Sequence, residues 1–192
     1  MSERITENLC IIDNIELGNN TYIHPFCSLT RCKIGNNCII GMGVLIEEGA
    51  VIGDNTFIWH NSHIGKNAVI GNNCKLGSNV EVASDVKIGN SVKVQNNVSI
   101  YYGVVLHDYV FVGPSAVFTN VIKPRADKNT PKEQYQKTII NKYASIGANA
   151  TIICGNNIGE SSIVGAGCVV VKDIPAKTTV VGNPARIVKY KL

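Results

Sequence analysis

The stretch IGNNCIIGMGVLIEEGAVIGDNTFIWHNSHIGKNAVIGNNCKLG, residues 34–77, decides the fold. An aliphatic residue returns at every sixth position: Ile34, Ile40, Ile46, Ile52, Ile58, Ile64, Ile70 and Leu76. The register runs on through Val82, Ile88, Val94, Ile100, Leu106, Val112 and Phe118. A helical period drifts out of a strict six-residue register, and a plain strand repeats every two residues. The fourth residue after each anchor is small or β-branched, as at Cys38, Val44, Ala50, Thr56, Ser62, Ala68 and Cys74. Gly often follows the anchor, as at Gly35, Gly53, Gly65, Gly71 and Gly77. The unit therefore describes a short strand and a tight bend with two inward side chains. Three such units close one triangular coil.

The earlier chain joins this pattern at Ile11, Leu17, Ile23 and Leu29, with one residue missing before Ile34. The later chain rejoins it at Ile140, Ile146, Ile152, Ile158, Val164, Val170 and Ala176. Stacked at roughly 4.8 Å each, somewhat under nine coils give a prism roughly 40 Å long. The composition of the 192 residues agrees: 17% are charged, 6% are aromatic, and 18 glycines are spread along the length, which favours strands and turns. A net charge of +4 suits anionic small molecules and falls short of the basic stripe of a nucleic-acid binder. No stretch approaches the roughly 18 apolar residues that span a bilayer. The start, MSERITENLC, lacks the basic-then-apolar pattern of a signal peptide. A cytoplasmic protein is expected. Seven cysteines without a CxxC pair argue against a disulfide framework and a zinc ribbon. Cys27, Cys38, Cys74 and Cys168 occupy the small inward position and read as packing residues. Cys154 lies off that position and is expected at the surface, with no base to make it a nucleophile.

The repeat resembles that of the hexapeptide-repeat family. The resemblance implies an all-β fold, a left-handed parallel β-helix, although general crossover rules favour right-handed connections. The whole chain, 1–192, then forms one β-helix domain. Residues 1–51 supply extra N-terminal coils, 119–139 a projecting loop and 177–192 a C-terminal cap and tail. The loop, TNVIKPRADKNTPKEQYQKTI, breaks the repeat between Phe118 and Ile140. Solenoid insertions fall on surface edges and often carry function. This one either decorates the edge or serves as a lid or trimer contact, with Arg125 facing an anionic substrate. The end, VVVKDIPAKTTVVGNPARIVKYKL, carries Lys172, Lys177, Arg186, Lys189 and Lys191. Its VVGNPARIV resembles the last coil and tail of hexapeptide acyltransferases, which implies that this end holds the adenine and phosphates of coenzyme A. The resemblance assigns Gly147, Ala148, Gly165, Ala166, Lys172 and Arg186 to that cofactor. A basic tail capping the open end of the prism is a compatible second reading.

VQNNVSIYYG, residues 94–103, interrupts its strand with three amides. Aligning coils places WHNSH (59–63) and QNNVS (95–99) on one face, two coils or roughly 10 Å apart. Gly113, Pro114 and Ser115 follow one coil further on, and the loop leaves after the next anchor. This counting predicts that the three segments and the loop converge on one edge region. The string VQNNVSIYYGVVLHDYVFVGPSAVFTNVIKPR, with the later IGANATIICGNNIG, resembles the subfamily that N-acetylates the 3-amino group of nucleotide-linked sugars. Among its members are the UDP-2-acetamido-3-amino-2,3-dideoxy-glucuronate N-acetyltransferases of O-antigen synthesis. WHNSHI fits that subfamily's W-H-x-x-H-I segment, and the match runs from about residue 52 to the end. It implies acetyl-CoA as co-substrate, a nucleotide-linked amino sugar as acceptor, a role in surface polysaccharide synthesis, no metal, and a homotrimer with active sites between subunits.

The chemistry suits the amides. A neutral amine attacks a thioester without a strong base, while the tetrahedral oxyanion needs donors. Asn97 and Asn96 are the first candidates to orient the amine or polarise the carbonyl. The departing thiolate can take the proton. His63 and His60 are candidate base or substrate contacts, and Gln95, Asn120 and Arg125 candidate substrate contacts. The bland alternative is an asparagine ladder at a turn, and which asparagine faces outward stays open. Three rival functions remain. A γ-type carbonic anhydrase needs three gathered histidines. A sugar O-acetyltransferase needs a firm histidine base. A non-catalytic scaffold predicts uniform faces and no loop.

Overall fold

The computed structural model describes residues 9–188. Within them most strands are two residues long, because each hexad leaves only two extended residues between bends. The strands line up in three sheets of ten, nine and seven members, so the chain is a three-sided parallel β-solenoid of about nine turns. The faces are numbered in the order the chain passes through them from Phe57 onward. The first face includes Phe57–Ile58, Lys75–Leu76 and Lys93–Val94. The second includes His63–Ile64, Glu81–Val82 and Ser99–Ile100, and the third Val69–Ile70, Lys87–Ile88 and Val104–Leu106. The first edge joins first to second face, the second edge second to third, and the third edge closes the coil. Pairing between coils is parallel and in register, as in His63↔Glu81, Val69↔Lys87 and Lys75↔Lys93.

The anchors point inward and form one continuous core from Ile23 to Val180. Each fully buried aliphatic side chain contributes about 1.5–3 kcal/mol relative to exposure. The bends explain the many asparagines. The third residue of a bend stands in the left-handed region, with Asn37, Asn55, Asn67, Asn73, Asn79 and Asn97 all at φ 54–61. Asn tolerates that conformation better than other side-chain-bearing residues. The bends are further tied by side-chain ladders. Asn36, Asp54, Asn72 and Asn90 each donate a backbone N–H to Oδ1 of the residue one coil on, at 2.6–2.8 Å.

Three expectations need correction. Ile11 is exposed, and Ile12 pairs with Leu29 instead. The first coil is one residue shorter than the count from Ile34 allows. Ala176 is exposed, while Ile174 and Val180 turn inward, because the bend after Val170 is shortened by two residues. Cys154 is buried. The Thr119 and Thr138 hydroxyls at the two roots of the loop accept from the backbone N–H groups of Cys154 and Gly155 at 2.9 and 3.1 Å, drawing this bend inward.

The loop departs after Val117–Phe118 on the second face and returns at Thr138–Ile140 on the third. It therefore projects from the second edge. Its roots are tied by Gln136 N–H to Asn120 O at 3.0 Å and Thr138 N–H to Gly103 O at 2.9 Å. A short 3₁₀ turn, Lys132–Gln134, carries Lys132, whose Nζ lies 3.0 Å from Asp85. At the C-terminal end Arg186–Val188 runs antiparallel to Thr179–Val181 and covers that margin of the first face. Lys189 and Lys191 lie outside the described residues.

Candidate functional site

The first edge gathers most of the sequence candidates on one ridge. Read from the C-terminal end, it presents Gly165–Ala166, Gly147–Ala148, Gly113–Pro114, Gln95–Asn96, Gly77–Ser78 and Trp59–His60, coil by coil. The small residues keep this ridge low. A Cβ on Gly113 would stand 2.6 Å from the Ala148 backbone N, so glycine is required there for the coils to stack.

Both central asparagines belong to ladders. Asn96 Oδ1 accepts from Ser78 N–H at 3.0 Å, and Asn97 Oδ1 accepts from Asn79 Nδ2 at 3.1 Å. These bonds match those of Asn36, Asn37 and Asn72 on other bends. The ladders end one coil further. Pro114 and Ser115 replace the next asparagines, so both ladders stop. Among the described residues the Asn97 amide nitrogen and the backbone N–H of Asn96 have no acceptor. The backbone N–H groups of Ala148 and Ala166 are in the same state, because Ala166 offers Ala148 no side-chain acceptor. The ridge thus carries a short row of unused donors from Asn96 to Ala166. The sequence signal for this is a proline where a ladder residue belongs.

His60 sits on the same ridge. Its Nδ1 accepts from Met42 N–H at 2.9 Å, which leaves Nε2 as the outward nitrogen. The ring lies among His24 and Trp59, with centroids 6.1 and 5.8 Å away. His63 stands apart, on the second face. Its Nδ1 is 3.0 Å from both carboxylate oxygens of Glu81, and its buried Nε2 faces Glu47 Oε1 at 3.4 Å without a well-aligned hydrogen bond. Both nitrogens are turned to carboxylates, not to the ridge.

The expected convergence with the loop does not occur within one chain. WHNSH, QNNVS and Gly113–Ser115 share the first edge, but the loop leaves one strand later, from the second edge. The second face lies between them. Asn120 is held at the loop root, and Arg125 is exposed on a bridge to Lys128. Lys172 and Arg186 meet in a cleft of about 330 Å³ at the C-terminal end, beside Asp173 and Pro175. Gly147, Ala148, Gly165 and Ala166 remain on the first edge. The buried thiols are poor nucleophiles: desolvation raises Cys27 and Cys32 to about 11 and raises Cys38, Cys74 and Cys168 as well. Among the described residues no cluster of three His, Cys, Asp or Glu groups is placed to hold a metal.

A low ridge of stacked bends with unused backbone donors is a place for an extended ligand to lie along a solenoid. The chain belongs to the bacterial hexapeptide transferase family: the pattern described as "Bacterial transferase hexapeptide (six repeats)" matches residues 14–48, 49–84 and 85–120, more than half of its length. A second pattern, "Hexapeptide repeat of succinyl-transferase", matches 67–102 and 137–172. Over 58 residues the chain is 55% identical to a dTDP-3-amino-3,6-dideoxy-alpha-D-galactopyranose 3-N-acetyltransferase of Aneurinibacillus thermoaerophilus, covering 30% of each chain. Over 80 residues it is 44% identical to a 2,3,4,5-tetrahydropyridine-2,6-dicarboxylate N-acetyltransferase of Clostridium perfringens, covering 42% of this chain and 30% of the relative. The matched segments thus span less than a third of either relative. In fold it is similar to the UDP-N-acetylglucosamine acyltransferase of Bacteroides fragilis, with a TM-score of 0.82 at 21% identity over 96% of this chain and 74% of that one.

Proposed function

We propose that this chain is an acetyl-CoA-dependent N-acetyltransferase that acts on a nucleotide-linked amino sugar, with a 3-amino group as acceptor, in the synthesis of a surface polysaccharide. The observation that carries the reading is the end of the asparagine ladders at Pro114, which leaves the Asn96 N–H and the Asn97 amide free on the ridge. The names of the two N-acetyltransferase relatives support the reaction, and the first supports the acceptor class.

On this reading the pantetheine arm lies along Ala166 and Ala148, whose N–H groups donate to its amides. The sugar amine attacks the thioester carbonyl carbon. A C–N bond forms, the carbonyl oxygen takes the charge, and the Asn96 N–H and Asn97 amide stabilise it. The C–S bond then breaks, and the leaving thiolate takes the proton from the nitrogen. Asn96 and Asn97 thus act as donors and no side chain has to be a base. His60 contacts the acceptor through Nε2, and Gln95 flanks it. Lys172 and Arg186 pair with the phosphates of the coenzyme. A hydroxyl acceptor would call for a histidine base, and His63, with both ring nitrogens turned to carboxylates on the second face and away from the ridge, gives that reading less support. The chain works as a homotrimer, in which Asn120 and Arg125 of one copy approach the ridge of the next. No described helix is long and apolar enough to cross a membrane, and a cytoplasmic location accords with the substrates.

The test is thiol release from acetyl-CoA with a panel of UDP- and dTDP-linked 3-amino and 4-amino sugars. Release with a 3-amino sugar is the expected result. Coenzyme A binding without release from any member would remove the acceptor assignment.

A further inference from the structure

The loop roofs a cleft that plays no part in the ridge. It lies on the second edge and third face, encloses about 400 Å³, and is lined by the loop on one side and the coils of Asp85 to Val105 on the other. That volume falls in the range of small-molecule sites. Two tyrosines form one wall, with Tyr102 on the solenoid and Tyr135 on the loop, ring centroids 6.2 Å apart at 64°. Lys132 fixes the roof: its Nζ lies 4.0 Å over the Tyr102 ring and 3.0 Å from Asp85. Asp85 is thereby committed. Lys87 and Lys137 line the same cleft, and neither makes an ion pair among the described residues. With Lys132 taken by Asp85, Lys87 and Lys137 share the lining with the single carboxylate of Glu133, so the cleft carries net positive charge and favours an anion.

We propose that this cleft is a binding site for a nucleoside diphosphate group. The planar base packs against the tyrosine wall and the two phosphates bridge Lys87 and Lys137. A bare anion would use the lysines and leave the wall idle. A plain sugar would leave the excess positive charge of the cleft uncompensated. Where the ligand is the nucleotide end of an acceptor sugar, the assignment rests on the function proposed above. The second face separates the cleft from Asn96 and Asn97, so the sugar held here reaches the ridge of a neighbouring copy.

The experiment is calorimetric titration of the full chain with UDP, dTDP and inorganic pyrophosphate, on the wild type and on Lys137→Glu and Tyr135→Ala. Both substitutions lie on the loop and remove no inward side chain, and circular dichroism checks the fold. The expected result is that UDP or dTDP binds the wild type and binds each variant at least tenfold more weakly. Pyrophosphate should lose affinity with Lys137→Glu and be indifferent to Tyr135→Ala. No nucleotide binding to the wild type, or equal binding to all three proteins, overturns the proposal. Acetyl transfer is measured on the same proteins. Cleft-dependent nucleotide binding without transfer from acetyl-CoA sinks the transferase reading and leaves the cleft. Transfer with an unchanged KM in both variants sinks the cleft and leaves the transferase.

Discussion

At Asn97 the backbone stands at φ 61 while the side chain ends a ladder, so two substitutions pull backbone and amide apart. Asn97→Ala puts an ordinary side chain in the left-handed region and is expected to lose about 1–2 kcal/mol by denaturant titration. Asn97→Gly suits the backbone and removes only the amide. It should unfold near the wild-type midpoint yet lose on the order of 10²-fold in kcat, the usual effect of one oxyanion donor. Asn79→Gly, one coil earlier in the same ladder, should keep its activity. Equal activity in Asn97→Gly and Asn79→Gly would return Asn97 to a purely structural part. The cysteines give a second residue-scale prediction. Native protein should expose at most the half-buried Cys10 to a thiol reagent at pH 8, and all seven thiols once unfolded. Burial raises the folded values of Cys27 and Cys32 to about 11, so their contribution to stability is complete below the ordinary thiol range. It is lost as pH climbs from about 9 towards 11, and the melting temperature should fall across that window.

Among the elements, the loop depends most on a single contact. The Asp85 carboxyl is held below its usual range first by the hydrogen bond from Lys132 and then by that from Asn67. A depressed carboxyl contributes above its unfolded value, near 3.8, and stops contributing as pH falls below it. The pair is exposed, so global stability should barely change. The local effect is readable: Tyr102 ring resonances should be constant from pH 7 down to the ordinary carboxylate value of 3.8, and shift only below it as Asp85 protonates and Lys132 leaves the ring. In Asp85→Asn they should stand at the shifted position throughout. The loop was legible as a segment because hexads stop at Phe118 and resume at Ile140. Its edge was misread because the count followed distance along the chain, while one further strand carries the chain across a face. Cys154 was misplaced for a related reason. The position rule holds for uniform hexads, and the threonines at the loop roots reshape this one. The tyrosine wall had no periodic signal at all, since Tyr102 and Tyr135 meet only when the loop folds back.

For the whole molecule the solenoid was readable in the inward positions, because a six-residue period with small partners has one economical packing. The donors on the ridge were less so, since they arise from what Pro114 fails to provide. Stability in such a stack is a sum over coils and their contacts. Ile64→Ala, in a fully buried mid-stack position, should cost about 2–5 kcal/mol by denaturant titration. Deletion of residues 67–84 should be far milder for its size. It removes one complete coil and joins Lys66 to Asp85, its in-register successor, and the product should keep a β-rich dichroism spectrum and a single unfolding transition.

That repeat gives the protein a unit of measure. Between Ile34 and Phe118 every strand pairs with the one a full coil later, and the irregular steps fall nearer the ends or are looped out at an edge. The spacing from His60 to Asn96 is therefore counted in whole coils, and it changes only by increments of roughly 4.8 Å. A ligand that bridges those points is gauged against a ruler with no intermediate graduations. Lineages that gain or lose a coil between them would move to acceptors longer or shorter by one such step, with no gradual path between.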